Sequence, residues 1–225
     1  MQLRPPAEVP VMTLPNTVFF PGIALPLHIF EPRYRTMLTH VLRSHRMFAV
    51  AALNRKKVAF PAAPEPLHEI ASVGIVRASR KSADGTSDLV LEGIARVRVT
   101  DIVREAPYRV IAIEALSSQS AEPEHELRGL RSDLLETVRL RAKFPMPMPP
   151  HFERMLQKVE DPSEICDITV FALLDGFSFK QRMLELLDPA ERLRQTIAQL
   201  RRELKHYEFE KRLSDCSDDP DAGKN

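Results

Sequence analysis

The chain has 225 residues, 44% apolar and 28% charged, enough for one large domain or two small ones with about 70–75% of the unfolded surface buried. Nineteen prolines against seven glycines favour rigid turns and leave few places where a backbone could wrap a phosphate, while two cysteines, Cys166 and Cys216, exclude a multi-bridge secreted framework. The apolar stretch 18–27 is broken by Pro21, Gly22 and Pro26, short of the roughly 20 residues of a membrane span, and the start Met1-Gln2-Leu3-Arg4-Pro5-Pro6 lacks the apolar region of a signal peptide, so a cytoplasmic location and no membrane partner are expected.

The net charge of +1 is unevenly spread. Residues 1–116 carry 15 Lys and Arg against 10 Asp and Glu, a surplus that permits polyanion binding without requiring it. Backbone preference divides at the same place: 15 of the 49 residues from 68 to 116 are Val, Ile or Thr, against six of the 51 from 163 to 213. Stiff β-branched side chains suit a pleated surface, so the first half reads as strand and the second as helix.

In chain order, the first helix starts at Pro32, a first-turn residue, and carries Tyr34, Met37, Leu38, Val41 and Leu42 at helical spacing. Val73-Gly74-Ile75-Val76 leads through Asp84-Gly85, a hairpin signal, into a period-2 strand with Leu89, Leu91, Gly93, Ala95, Val97 and Val99 on one face. Residues 108–115 are apolar on both faces, as in a more central strand. The polar segment 117–123 ends in proline and marks a boundary. Leu127, Leu130, Leu134 and Val138 predict a helix over 124–142, which Pro145, Pro147, Pro149 and Pro150 cannot continue. Asp161-Pro162-Ser163-Glu164 and Asp188-Pro189-Ala190-Glu191 are helix starts with a capping Asp and a first-turn proline, and Ser178-Phe179-Lys180-Gln181 reads as a third capping box. After the second of these, Leu193, Ile197, Leu200, Leu204 and Tyr207 form one stripe on a helix of about 25 residues that packs on the other helices. The acidic tail 214–225 has the composition of a disordered segment.

Catalytic motifs are missing from the sequence. It contains no phosphate loop, no G-x-G-x-x-G and no G-x-S-x-G. The seven histidines form no H-x₃-H pair and neither cysteine has a C-x₂₋₄-C partner, so no metal site, cofactor or catalytic residue is expected. His28, in an apolar run, reads as a core histidine with a satisfied hydrogen bond, and Cys166 as inert core. Arg55-Lys56-Lys57 and Arg77, Arg80 and Lys81 read as solvated loop charges.

The stretch 14–35, Leu14-Pro15-Asn16-Thr17-Val18-Phe19-Phe20-Pro21-Gly22-Ile23-Ala24-Leu25-Pro26-Leu27-His28-Ile29-Phe30-Glu31-Pro32-Arg33-Tyr34-Arg35, resembles the opening of the Lon protease N-terminal, substrate-binding domain family. Val73-Gly74-Ile75-Val76, Leu91-Glu92-Gly93-Ile94-Ala95-Arg96-Val97 and Leu186-Leu187-Asp188-Pro189-Ala190-Glu191-Arg192-Leu193 resemble later motifs of that family, which together run from about 10 to 205. The resemblance implies an α+β fold: a small PUA-like β-barrel with one helix over 1–120, a helical bundle with a long terminal helix over 121–213, and the tail. Lon proteases continue into an ATPase module and a Ser-Lys peptidase; this sequence has no Walker motif, so neither ATP hydrolysis nor peptidase activity is expected. The implied role is non-catalytic recognition of polypeptide substrates or service as an adaptor, with a separate Lon-type protease as a candidate partner. RNA is the alternative partner, because PUA-like barrels also occur in RNA-binding proteins. Candidate contacts are Arg55, Lys56, Lys57 and Phe60 in the long proline-rich loop, where an apolar ring stands beside cations, and Phe19 and Phe20, since adjacent aromatics in a strand face opposite sides.

Overall fold

The protein is described here by a computed structural model of residues 4–54 and 65–217, with backbone only for 214–217. Its elements are β1 (Glu8–Leu14), β2 (Ala24–Ile29), α1 (Pro32–Leu42), β3 (Met47–Ala52), β4 (Ile70–Lys81), β5 (Ser87–Arg104), β6 (Val110–Leu116), α2 (Glu124–Arg141), α3 (Phe152–Gln157), α4 (Pro162–Leu173), α5 (Phe177–Glu185) and α6 (Pro189–Ser217). They form two compact units, one of residues up to Gln119 together with Asp167–Asp188, the other of Ser120–Cys166 with the chain from Pro189 on. The β-rich unit therefore takes in α5 and most of α4 as well as the strands.

The first unit is organised by one sheet in the order β2-β5-β4-β3-β1-β6, in which β5 also pairs with β6. At 18 residues, β5 is long enough to serve β2 with its first half and β6 with its second. The second pairing closes β5, β4, β3, β1 and β6 into a ring and leaves β2 as an added strand. Only β1 and β3 run parallel, with β2 and α1 forming the crossover between them. Inside the ring, Val9, Val11, Met47, Ala49, Ala51, Ala71, Val73, Val97 and Ile111 make one apolar cluster. The Asp84-Gly85 signal is a hairpin turn: Gly85 has φ 84°, and Asp84 Oδ1 accepts from the Thr86 N–H at 3.0 Å and its hydroxyl at 2.7 Å.

Three local expectations need correcting. Strand β6 has neighbours on both edges but only Ile111 is fully buried, so one of its faces looks outward. Helix α5 begins at Phe177 behind Gly176, without a side-chain cap, which places Ser178 inside the first turn rather than at the cap. Helix α6 continues through Ser217, into the segment expected to be an unstructured tail; residues 218–225 lie outside those described.

In the second unit, α2 and α6 bury Leu134 and Val138 against a stripe of Leu193, Ile197, Leu200 and Leu204, as their spacing requires. Phe152 and Leu156 of α3 are buried with Ile165 and Cys166 of the first turns of α4. The cap at Asp161 forms, its Oδ1 accepting from the Glu164 N–H at 2.8 Å. Cys166 is a free, buried thiol with its Sγ 3.2 Å from Thr196 Oγ1. Among the described residues no helix is long and apolar enough to cross a membrane.

Candidate functional site

Beyond the closed ring, the first half of β5 is flanked by β2 on one side and the second half of β4 on the other, a three-stranded apron. Successive side chains of a strand point to opposite faces, and here the two faces differ in kind. Leu25, Ile29, Leu89 and Leu91 are buried on the inner face. The outer face is read directly from the register. Pro26 lies beside Val90 and Val90 beside Ala78, giving an apolar row across all three strands. The next row is His28, Asp88 and Arg80, with His28 Nδ1 2.8 Å from Asp88 Oδ1 and Arg80 Nη2 3.7 Å from Asp88 Oδ2. On the other side of the apolar row, a bulge in β4 brings Arg77 to Glu92, Nε to Oε2 at 2.5 Å. Hydrogen bonds from these partners hold the Asp88 and Glu92 carboxyls below the usual carboxylate range, with His28 the main cause for Asp88 and Arg77 for Glu92.

An apolar row between two charged rows lines a groove of about 500 Å³. Just past the end of β2, Phe30 stands 62% exposed with its ring stacked on His28 at 6.1 Å. His28 is therefore a surface residue: β2 turns positions 25 and 29 inward and 28 outward, which overturns the core assignment. The position of Pro26 decides how the strand can be used. A proline within an outer strand withholds a donor from any further ladder, so β2 is a poor template for continuous strand addition and its recognition surface is the side-chain face.

The aromatic pair expected to make contacts lies elsewhere. Phe19 and Phe20 are 1% and 0% exposed. They belong to an irregular segment before β2, not to a strand, so the alternation rule does not apply and both rings enter the core. The glycines opposite make room for them. A Cβ at Gly74 would sit 2.6 Å from Leu91 Cγ and 2.9 Å from the Phe19 ring, and one at Gly93 would collide with the Phe20 carbonyl oxygen. Ser72 Oγ closes the arrangement by donating to the Phe19 carbonyl at 2.7 Å. Arg55, Lys56, Lys57 and Phe60 lie outside the described residues. Among the described residues no group of His, Cys, Asp and Glu has the arrangement of a metal site.

Residues 8–202 match the family described as the ATP-dependent protease La (LON) substrate-binding domain. The chain belongs to the Lon substrate-binding domain family. It is 25% identical over 197 residues to a Lon protease of Anaeromyxobacter dehalogenans, covering 88% of this chain and 23% of that one. It is 24% identical over 208 residues to a Lon protease of Dictyoglomus thermophilum, covering 92% and 26%. The chain thus spans about a quarter of the length of these relatives. Among solved structures, the N-terminal domain of a Mycobacterium avium complex Lon protease superposes with a TM-score of 0.63 at 18% identity, covering 86% of this chain and 97% of that one. The Lon N-terminal domain protein of Xanthomonas campestris gives 0.61 at 22% identity, with 85% and 97% covered. The Lon N-terminal fold is thereby established for this chain, α+β with a closed sheet followed by helices.

Proposed function

We propose that this Lon-type domain is a substrate-binding module that holds extended apolar segments of polypeptides on the outer face of β2, β5 and β4. The observation that supports it most is the apolar row Pro26, Val90 and Ala78, extended by exposed Phe30 and bounded by charged rows. Apolar area supplies affinity, and the charged margins keep the face soluble and exclude neighbours that bury charge without pairing it. Because Pro26 disfavours main-chain pairing, recognition runs through side chains and tolerates many sequences. In this reading the module acts as an adaptor that presents such segments to a separate Lon-type protease. Little on this face favours RNA, since Arg77 and Arg80 are matched by Glu92 and Asp88.

The test is fluorescence anisotropy with labelled, unfolded casein at 50 and 200 mM salt. Binding should change little with salt, whereas phosphate contacts would weaken it by orders of magnitude. Combined Phe30→Ala and Val90→Ser should weaken binding about tenfold, equivalent to about 1.4 kcal/mol, with the melting temperature nearly unchanged. Full casein affinity in the folded double variant would remove the face from the mechanism.

A further inference from the structure

A second cleft, of about 400 Å³, shares no residue with that face. Its apolar walls come from four elements: Pro10 of β1, Val41 of α1, Val103 of β5 and Val110 of β6. Its polar groups converge on Tyr108, which is 6% exposed. The phenol oxygen lies 2.9 Å from His40 Nδ1, and the Arg104 guanidinium stacks over the ring, 5.1 Å from its centroid. Stacking fixes the plane of the guanidinium and leaves its N–H fork available. Among the described residues no carboxylate lies within ion-pair distance of Arg104, and Glu8, the single carboxylate lining the cleft, does not pair with it. His45 adds a defined donor. Its Nδ1 accepts from the Met47 N–H at 3.0 Å, so in the neutral ring the proton is on Nε2.

We propose that this cleft binds a carboxylate carrying a short apolar body, supplied as a free small acid or as the C-terminus of a polypeptide. One guanidinium with no ion-pair partner among the described residues, with imidazole donors nearby, matches a single negative charge and the two oxygens of a carboxylate. A phosphate monoester, at about −1.5 to −2, would leave charge uncompensated beside Glu8. The walls, formed by one proline and three valines, fit a small branched side chain, and the volume lies within the range of about 300–1,000 Å³ usual for small-molecule sites. This proposal does not rest on the sheet-face reading.

The experiment titrates the full chain with a labelled peptide ending in Ala-Ala-Val, as the free acid and as the C-terminal amide, and then adds isovalerate as competitor. The free acid should bind at least tenfold more tightly than the amide. That preference should disappear in Arg104→Gln and shrink in His40→Gln, both checked for an unchanged melting temperature, and should persist in Phe30→Ala. Displacement of the peptide by isovalerate would show that a free acid suffices; acid-selective peptide binding without displacement would assign the site to polypeptide termini. Equal affinity for acid and amide, or an undiminished preference in both folded cleft variants, overturns the proposal.

Discussion

Arg96 of β5 is 3% exposed, and its guanidinium is met by Asp167 Oδ1 at 2.5 Å and by the Leu184 carbonyl oxygen at 3.1 Å, with the Phe20 ring 6.0 Å from its carbon. Burying two charges costs nearly as much as their attraction returns, so the pair adds little net stability, but losing one member strands the other. Asp167→Ala should destabilise the protein by about 3–5 kcal/mol in denaturant unfolding, whereas Arg96→Met with Asp167→Leu should come close to the wild type. A double variant as unstable as the single one would show that the ion pair itself is required. Glu92 gives a pH prediction. Its carboxyl is held below the usual range by Arg77, so between the ordinary and the depressed value the unfolded chain binds more protons than the folded one. The stability it contributes is present above the ordinary carboxylate range and lost as pH falls through the depressed value. Because the pair is exposed, the effect is small. Glu92→Gln should lower the plateau of a stability-against-pH curve near neutrality slightly and flatten the acid limb, the two curves meeting at low pH where Glu92 is protonated in both states.

Among the elements, α2, α6 and the long strand β5 were legible because each carries one unbroken period, and a stripe such as Leu193, Ile197, Leu200 and Leu204 admits a single interpretation. Leu200→Ala should cost about 2–5 kcal/mol, and Phe209→Ser, at a site 60% exposed on the same helix, should change stability little; calorimetry separates them. Strand β3 was not legible. Met47-Phe48-Ala49-Val50-Ala51-Ala52 is buried throughout, so it has no alternation, and alanine carries little strand preference. Helix α3, only six residues long after a proline-rich stretch, offers too few turns to show a period. The outer face was half legible. A proline such as Pro26 fits only an outer strand or a strand end, but the row it forms with Val90 and Ala78 depends on register across three strands, which composition does not encode. The Phe19–Phe20 expectation failed for a similar reason: whether two adjacent rings share a core depends on a loop conformation that Gly74 and Gly93 permit from distant strands.

For the whole molecule, the first unit is discontinuous: its strands end at Leu116, and the segment that supplies Asp167 and the Leu184 carbonyl arrives only after α2 and α3. A fragment of residues 1–120 keeps every strand yet loses both partners of Arg96, together with Gln181, which donates to the Ile70 carbonyl at 3.1 Å. Such a fragment should give a poorly dispersed amide spectrum and non-cooperative melting, while the full chain melts cooperatively; a well-dispersed fragment would show that the sheet needs no helix. The same discontinuity imposes an order of events during synthesis. With translation at about 5–20 residues per second, the ribosome makes every strand several seconds before the helical segment that completes the unit. Over that interval Arg96 has neither Asp167 nor the Leu184 carbonyl to meet it, and the apolar surfaces of the nascent sheet wait uncovered. Ribosome-bound chains stalled after Leu116 should therefore be cut readily by protease, with resistance appearing abruptly once Leu184 has cleared the exit tunnel.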